Sequence, residues 1–413
     1  MEIVKVKKLW RDATSTLWFR PAVWVMSLTG IALGFSYLDR LYDLEHATDV
    51  LPWFLFMGVD AAGDMLSAIA TATMTVTSLA FSLMMLAVVQ TANAYSPRML
   101  RDYLSDATNQ HVLGILLGTF VYSLLVLRGV SAYDADAFAP VLGTNGAFAL
   151  AIVSTVALIA FIDNVSQSLK VGSVIERILS SASDIDEEPF YTSVGEAWRR
   201  DSVPDYPDTQ ALAVPASDSG YVQLCDAESA FELACEEDLL IDFEKTVGDY
   251  VLEGARVARV WGEDIDEEVL ERIRKTLLLG SERTFDQDLR YAVTQLSDIA
   301  LRALSPGIND PTTATDTVNS IGEVLIRLVS AGLGNPLRGD EDEQLRLVFP
   351  YIGFESLLDL AFGQILHYGG EDDVVVAKVH DLCLQLRQLT IDEGQRRAID
   401  GFLKAHDMRV PNG

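Results

Sequence analysis

The sequence predicts a mainly α membrane protein: four transmembrane helices, then a cytoplasmic α+β region consisting of a small β-barrel or sandwich plus a helical bundle. Three observations carry that reading. Four long apolar runs are confined to the first 178 residues. Charge is segregated: residues 1–178 hold 14 of the 60 acids and 11 of the 31 bases, a net of 11 − 14 = −3. The rest hold 46 acids and 20 bases, a net of 20 − 46 = −26. Beyond residue 263, apolar residues recur at helical spacing. The expected division is a transmembrane domain at 1–178, a β-rich module at 179–263 and a helical domain at 264–413.

A spanning helix needs about 20 mostly apolar residues to cross roughly 30 Å of hydrocarbon. The runs Pro21–Leu38, Met65–Val89, Val112–Leu127 and Ala147–Ile162 qualify. The first lacks the small residues of a cleavage site and reads as a permanent anchor. Orientation follows from the flanking bases, because Lys and Arg concentrate on the cytoplasmic side. Lys5, Lys7, Lys8, Arg11 and Arg20 precede the first run. Arg98 and Arg101 separate the second from the third, and Lys170 and Arg177 follow the fourth. The other two connections carry Arg40 and Arg128 among Asp39, Asp43, Glu45, Asp49, Asp134 and Asp136. Both termini are therefore expected on the cytoplasmic side of the cell (inner) membrane.

The second run carries the most chemistry. Asp60, Asp64, Ser67, Thr71, Thr75, Ser78 and Ser82 follow one another at steps of three or four, which is one face of an α-helix. Polar groups are costly against lipid, so this face should meet protein or water. Two readings are open. Ser and Thr can bond their own backbone and allow close helix packing. Alternatively, the row lines an ion pathway with Asp64 near its outer mouth, since carboxylates and hydroxyls replace part of a cation's hydration shell. Four helices leave little room for a pore, so the second reading implies a homo-oligomer with this helix on its axis.

Past the membrane, residues 166–189 lead as a continuing helix into the acidic run Asp184, Asp186, Glu187 and Glu188. Short β-like pieces follow at Gln210–Pro215, Tyr221–Leu224, Leu239–Phe243 and Arg256–Val260, punctuated by Gly220, Gly248 and Gly254. Helices are then expected at Asp266–Leu279, from a capping box of Thr284 with Gln287, and at 313–332, 342–367, 373–389 and 392–406. Between two of them, Ser305-Pro306-Gly307 stops one helix, and Asp310-Pro311 is suited to start the next. This corner is either a tight helical turn or a place where Asn309 and Asp310 offer oxygens to a cation or partner, with Arg283, Asp288 and Arg302 nearby.

Taken together, Gly63-Asp64, Ser96-Pro97-Arg98, Asn109-Gln110, Arg283-Thr284, Gln287-Asp288, Asp298-Ile299-Ala300 and the Ser305–Ala314 corner resemble the bacterial and archaeal DUF2254 family. The resemblance covers most of the chain, and the corner is its most specific part. It implies a multi-pass membrane protein with a cytoplasmic C-terminal region. Thr312 stands where a larger apolar residue is expected in many relatives.

Composition excludes several functions. So acidic a surface has no basic patch for nucleic acid. Cys225, Cys235 and Cys383 show no C-x-x-C spacing and read as buried thiols in a reducing compartment. The five histidines never fall at ligand spacing, and no nucleotide, nucleophile-elbow or zinc-protease motif occurs, so no cofactor, metal or enzymatic role is expected. A channel or pore for inorganic ions leads. A membrane-anchored signalling or scaffold protein comes second, and a membrane enzyme third. Lysine is scarce, 8 against 23 arginines, and the acidic coat suits a halophilic source. That coat predicts loss of secondary structure as KCl falls from about 1 M to about 0.1 M, where charge repulsion is no longer screened. Circular dichroism unchanged across that range would remove the halophilic reading.

Overall fold

The computed structural model describes residues 16–42, 57–94, 106–130, 139–168, 170–183, 185, 189–198, 206–331 and 334–408. The chain divides into two units, Met1–Ser173 and Val174–Gly413. The bases Lys5, Lys7, Lys8, Arg11, Arg98 and Arg101 lie outside the described residues. So do Asp43, Glu45, Asp49, Asp134, Asp136, Ser96-Pro97 and the acidic run at 184 and 186–188.

In the membrane unit the four apolar runs are helices: α1 (Phe19–Tyr42), α2 (Val59–Ala94), α3 (Ala107–Gly129) and α4 (Val141–Ser168). Each is long and apolar enough to cross a bilayer. They outrun their apolar cores because the polar residues at their ends still make helical bonds. The 36 residues of α2 extend over roughly 54 Å at ~1.5 Å per residue, well beyond the ~30 Å of hydrocarbon.

Small residues let these helices approach closely. Gly114 and Gly118 sit one turn apart on α3. A Cβ on Gly114 would lie 2.7 Å from Trp24 Cδ1 and 3.0 Å from Pro21 Cα, and one on Gly118 would lie 2.5 Å from Leu28 Cδ1. Polar bonds fix the register of this packing. Trp24 Nε1 donates to His111 Nδ1 at 2.9 Å. The hydroxyls of Thr119 and Ser154 lie 3.0 Å apart, and Asn164 donates to Asp106 at 3.2 Å and Asn109 at 3.0 Å. The sequence placed Asp39 in a loop, but it lies within a helix. It is buried on α1 and accepts the Leu142 and Gly143 amides at 2.9 and 3.0 Å, satisfying the open N-terminus of α4.

The second unit opens with α5 (Val171–Ser183), which begins just before the unit boundary, and then mixes strands and helices. In order these are β1 (Glu196–Ala197), β2 (Leu212–Pro215), β3 (Gly220–Cys225), α6 (Ala227–Glu236), β4 (Leu240–Phe243), β5 (Tyr250–Val251) and β6 (Arg256–Trp261). There follow α7 (Glu267–Lys275), β7 (Leu277–Gly280), α8 (Leu289–Ala303), α9 (Pro311–Ala331), β8 (Leu337–Gly339) and β9 (Leu345–Val348). A helix with a π-turn at Asp359–Gly363 joins α10 (Phe354–Leu358) to α11 (Gln364–Gly369), and α12 (Asp373–Leu389) and α13 (Glu393–Ala405) complete it. One sheet has the order β1-β8-β9-β4-β6-β2 and a second the order β5-β3-β7. Val214, Val222, Ile241, Val251, Val260, Leu277 and Leu347, drawn from both sheets, share one core. This is the sandwich-like arrangement expected, with helices added.

The expected division at residue 263 does not appear. Strand β9 pairs in parallel with β4, and β7 pairs antiparallel with β3, so the β core closes only with strands from the later sequence. Two expected helices are accordingly shorter: Asp266–Leu279 ends in β7, and the 342–367 span begins as β9. Cys225 and Cys383 are buried, and burial pushes the Cys383 thiol up to about 12, whereas Cys235 is exposed.

Gly114→Leu should overpack the α1–α3 seam and cost about 2 kcal/mol, lowering the thermal midpoint in detergent. Gly34→Leu, where nothing lies within 4 Å of the added Cβ, should leave it nearly unchanged. Equal effects would contradict the close seam.

Candidate functional site

The polar row of α2 is exposed along its whole length: Asp60, Asp64, Ser67, Thr71, Thr75, Ser78 and Ser82. The residues α2 buries include Ala62, Leu66, Ala70, Thr73, Thr77, Ala80, Met84 and Ala87. The two sets run in parallel two residues out of phase, roughly 200° around the helix. The helix therefore packs by its small and apolar face and turns its polar row away from its own bundle. Along that row Thr71 donates to Ser67 O and Thr75 to Thr71 O, each at 2.8 Å, Ser78 to Met74 O at 3.1 Å and Ser82 to Ser78 O at 2.9 Å. Each proton is committed to the preceding turn, so the hydroxyl oxygens present lone pairs outward. Such a surface accepts cations or hydrogen-bond donors. Sequence spacing did not single out Thr73 and Thr77, whose hydroxyls face the bundle and bond Ile69 O and Thr73 O at 2.7 and 2.6 Å.

In the second unit the sequence-selected residues separate into two places. Arg302, Asn309 and Asp310 sit at the C-terminal end of α8, whereas Arg283 and Asp288 sit at its N-terminal end. The 15 residues of α8 put about 22 Å between them. At the corner Asn309 adopts φ +50°, and Asp310 opens α9 by accepting the Thr313 amide at 3.1 Å and its hydroxyl at 2.6 Å. These bonds hold the Asp310 carboxyl below its usual range. Arg302 and Asn309 are exposed. The corner is a capped helical turn.

The other end of α8 is more elaborate. Thr284 and Gln287 do not form a capping box: the Thr284 hydroxyl donates to Asp286 at 2.8 Å. Gln287 instead accepts the Cys225 amide at 2.9 Å and donates to the Cys225 carbonyl at 3.2 Å, acting as an extra strand residue beside β3. Asp288 is the cap, accepting the Tyr291 amide at 3.2 Å. It is buried, and Arg283 grips it with Nε at 2.9 Å and Nη2 at 2.7 Å. Burial pushes its carboxyl up, while Arg283 and Arg290 pull it back. Gly248 lies against this pair at φ +92°, where a Cβ would stand 2.3 Å from Asp288 Oδ2.

Beside this cluster opens a cleft of about 670 Å³. Phe190, Tyr191 and Ile352 contribute to its apolar wall, and Thr246, Asp286 and Arg290 to its polar edge. Part of the wall is the connector that follows α5, residues 185 and 189–193. Two arginines fix that connector through backbone carbonyls. Arg327 donates to Ala182 at 2.5 Å and to Ile185 at 3.1 Å. Arg338, 5% exposed, donates to Val194 at 2.6 Å, Gly195 at 2.8 Å and Thr192 at 2.9 Å. Sequence reasoning passed over both arginines, because a guanidinium that binds carbonyls leaves no paired acid to notice.

The sequence model of a family described as "Predicted membrane protein (DUF2254)" matches residues 14–385. Uncharacterized proteins of Mycobacterium bovis and Mycobacterium tuberculosis are each 32% identical over 396 residues, covering 92% of this chain and 74% of theirs. No solved structure matches the chain.

Gly248→Ala should destabilise the C-terminal unit by about 2–4 kcal/mol, from the strained backbone and the clash with Asp288. Gly307→Ala at the corner meets nothing within 4 Å and should be nearly neutral. Urea titration of the full-length protein followed by far-ultraviolet circular dichroism reads both. A neutral Gly248→Ala would mean that the Asp288 pocket is looser than described.

Proposed function

This chain belongs to the DUF2254 family of predicted membrane proteins, and we propose that it acts as a homo-oligomeric channel or pore that conducts cations. The observation that carries the reading is the outward exposure of the whole α2 row. A row of two carboxylates and five hydroxyls facing lipid would be costly. Symmetric copies that gather their α2 helices around one axis would place it against water and one another. Four of the five hydroxyls, those of Thr71, Thr75, Ser78 and Ser82, spend their protons within the helix, and their oxygens suit cations more than anions. Thr155 on α4 is also exposed, but it stands alone among apolar neighbours and forms no row.

The proposed orientation keeps both termini in the cytoplasm and places Asp60 and Asp64 at the outer end of α2. The acidic C-terminal unit then lies in the cytoplasm as a regulatory domain. The acidic coat is further proposed to serve solubility in high salt, so it is not by itself an argument for cation selectivity.

Ion flux through purified protein in liposomes tests the reading. Asp64→Asn should reduce cation current several-fold, Thr75→Leu should nearly abolish it, and Thr155→Val should leave it intact. Absence of flux under voltage, tension and calcium steps would overturn the proposal, as would an equal effect of all three substitutions.

A further inference from the structure

We propose that the cleft between the connector and the N-terminal end of α8 binds a small organic cation with an aromatic or aliphatic body. The inference stands on the C-terminal unit alone and does not depend on conduction. At about 670 Å³ the cleft falls within the size range of small-molecule sites, and its lining has the usual form of such sites, apolar surface with a few convergent polar groups.

The charge preference follows from how the arginines are used. Arg283 spends Nε and Nη2 on Asp288 and donates Nη1 to Thr294 at 3.3 Å. Arg290 donates to the Val247 carbonyl and to Asp249 at 3.3 Å, with its Nε 3.9 Å from Asp288. Both guanidiniums are thus committed to the protein's own acceptors. Around them stand three carboxylates, Asp249, Asp286 and Asp288, in a region whose net charge is −26 by the count above (20 bases − 46 acids). An anion entering here would meet an opposing field with its natural receptors occupied.

A cation meets one carboxylate more than the two arginines balance, together with aromatic walls. Tyr191 is stacked on Phe349 at 5.2 Å, Phe349 on Phe243 at 5.1 Å, and Phe190 packs edge-on to Tyr191 at 5.3 Å. This buttressed set holds Phe190 and Tyr191 in place in the cleft wall, where a ring face attracts a poorly hydrated cation. An occupant would touch the connector, where Arg327 and Arg338 hold the carbonyls of the cleft-lining Ile185 and Thr192. Occupancy should therefore be felt in the backbone of residues 189–195.

Isothermal titration of the full-length protein in detergent tests the site with three probes of similar size: benzyltrimethylammonium, neutral benzyl alcohol and anionic phenylmethanesulfonate. The ammonium should bind saturably at one site per chain and at least tenfold more tightly than either analogue. Its affinity should fall at least fivefold in Asp286→Asn and in Tyr191→Leu. Hydrogen exchange at residues 189–195 should slow on its addition. Should Tyr191→Leu fail to fold, Asp286→Asn, at an exposed position, still decides. Equal or tighter binding of the alcohol or sulfonate, no saturable heat, or unchanged affinity in Asp286→Asn would each overturn the proposal.

Discussion

Hydrocarbon supplies no hydrogen-bonding partner, and the membrane unit is organised by that constraint. Within its bundle several polar groups are paired across helices: Asp39 with the α4 N-terminus, Trp24 with His111, Thr119 with Ser154. Glycines bring the backbones close enough for these bonds to form. The α2 row is exposed instead. Four of its hydroxyls satisfy their own protons within the helix, which lowers the cost of exposure without removing it. Its carboxylates have no such recourse against lipid. The row therefore asks for an environment that four helices of one chain do not provide.

The C-terminal unit solves a related problem by other means. Its connector and loops carry backbone carbonyls into buried positions, where an unmet acceptor costs about 1–3 kcal/mol. Arg338 meets three of them at once and Arg327 holds the end of α5, both with guanidinium groups whose fixed fork suits several acceptors. Gln287 does the same for a strand edge, pairing its amide with both backbone groups of Cys225. Side chains thus replace missing secondary structure where the two sheets and α8 meet. This explains why the Arg283–Asp288 segment is rich in polar residues without being an obvious catalytic centre.

What the sequence revealed and what it hid divide along the range of the interactions. The four spans and the phase of the α2 row depend on composition and on the 3.6-residue period, so both could be read locally. The Asp310-Pro311 start of α9 is local too and stands as expected. The β core could not be read, because β9 lies in Leu345–Val348 and its partner β4 more than a hundred residues earlier. Nothing local distinguishes β9 from the start of a helix. Thr284 with Gln287 has the spacing of a capping box, but Gln287 makes a stronger non-local pair with Cys225 and Asp288 takes the cap. Asp39 looked like a loop acid because hydropathy falls there, whereas its helix continues to Tyr42.

Covalent continuity links the two candidate sites whatever the arrangement of the units. Helix α4 ends at Ser168, α5 begins at Val171, and the connector after α5 forms part of the cleft wall. Arg327, on α9, grips the end of α5, and Arg338, on β8, grips the far end of the connector. Arg327 and Arg338 thus hold described residues at both ends of the connector, and residues 185 and 189–193 line the cleft.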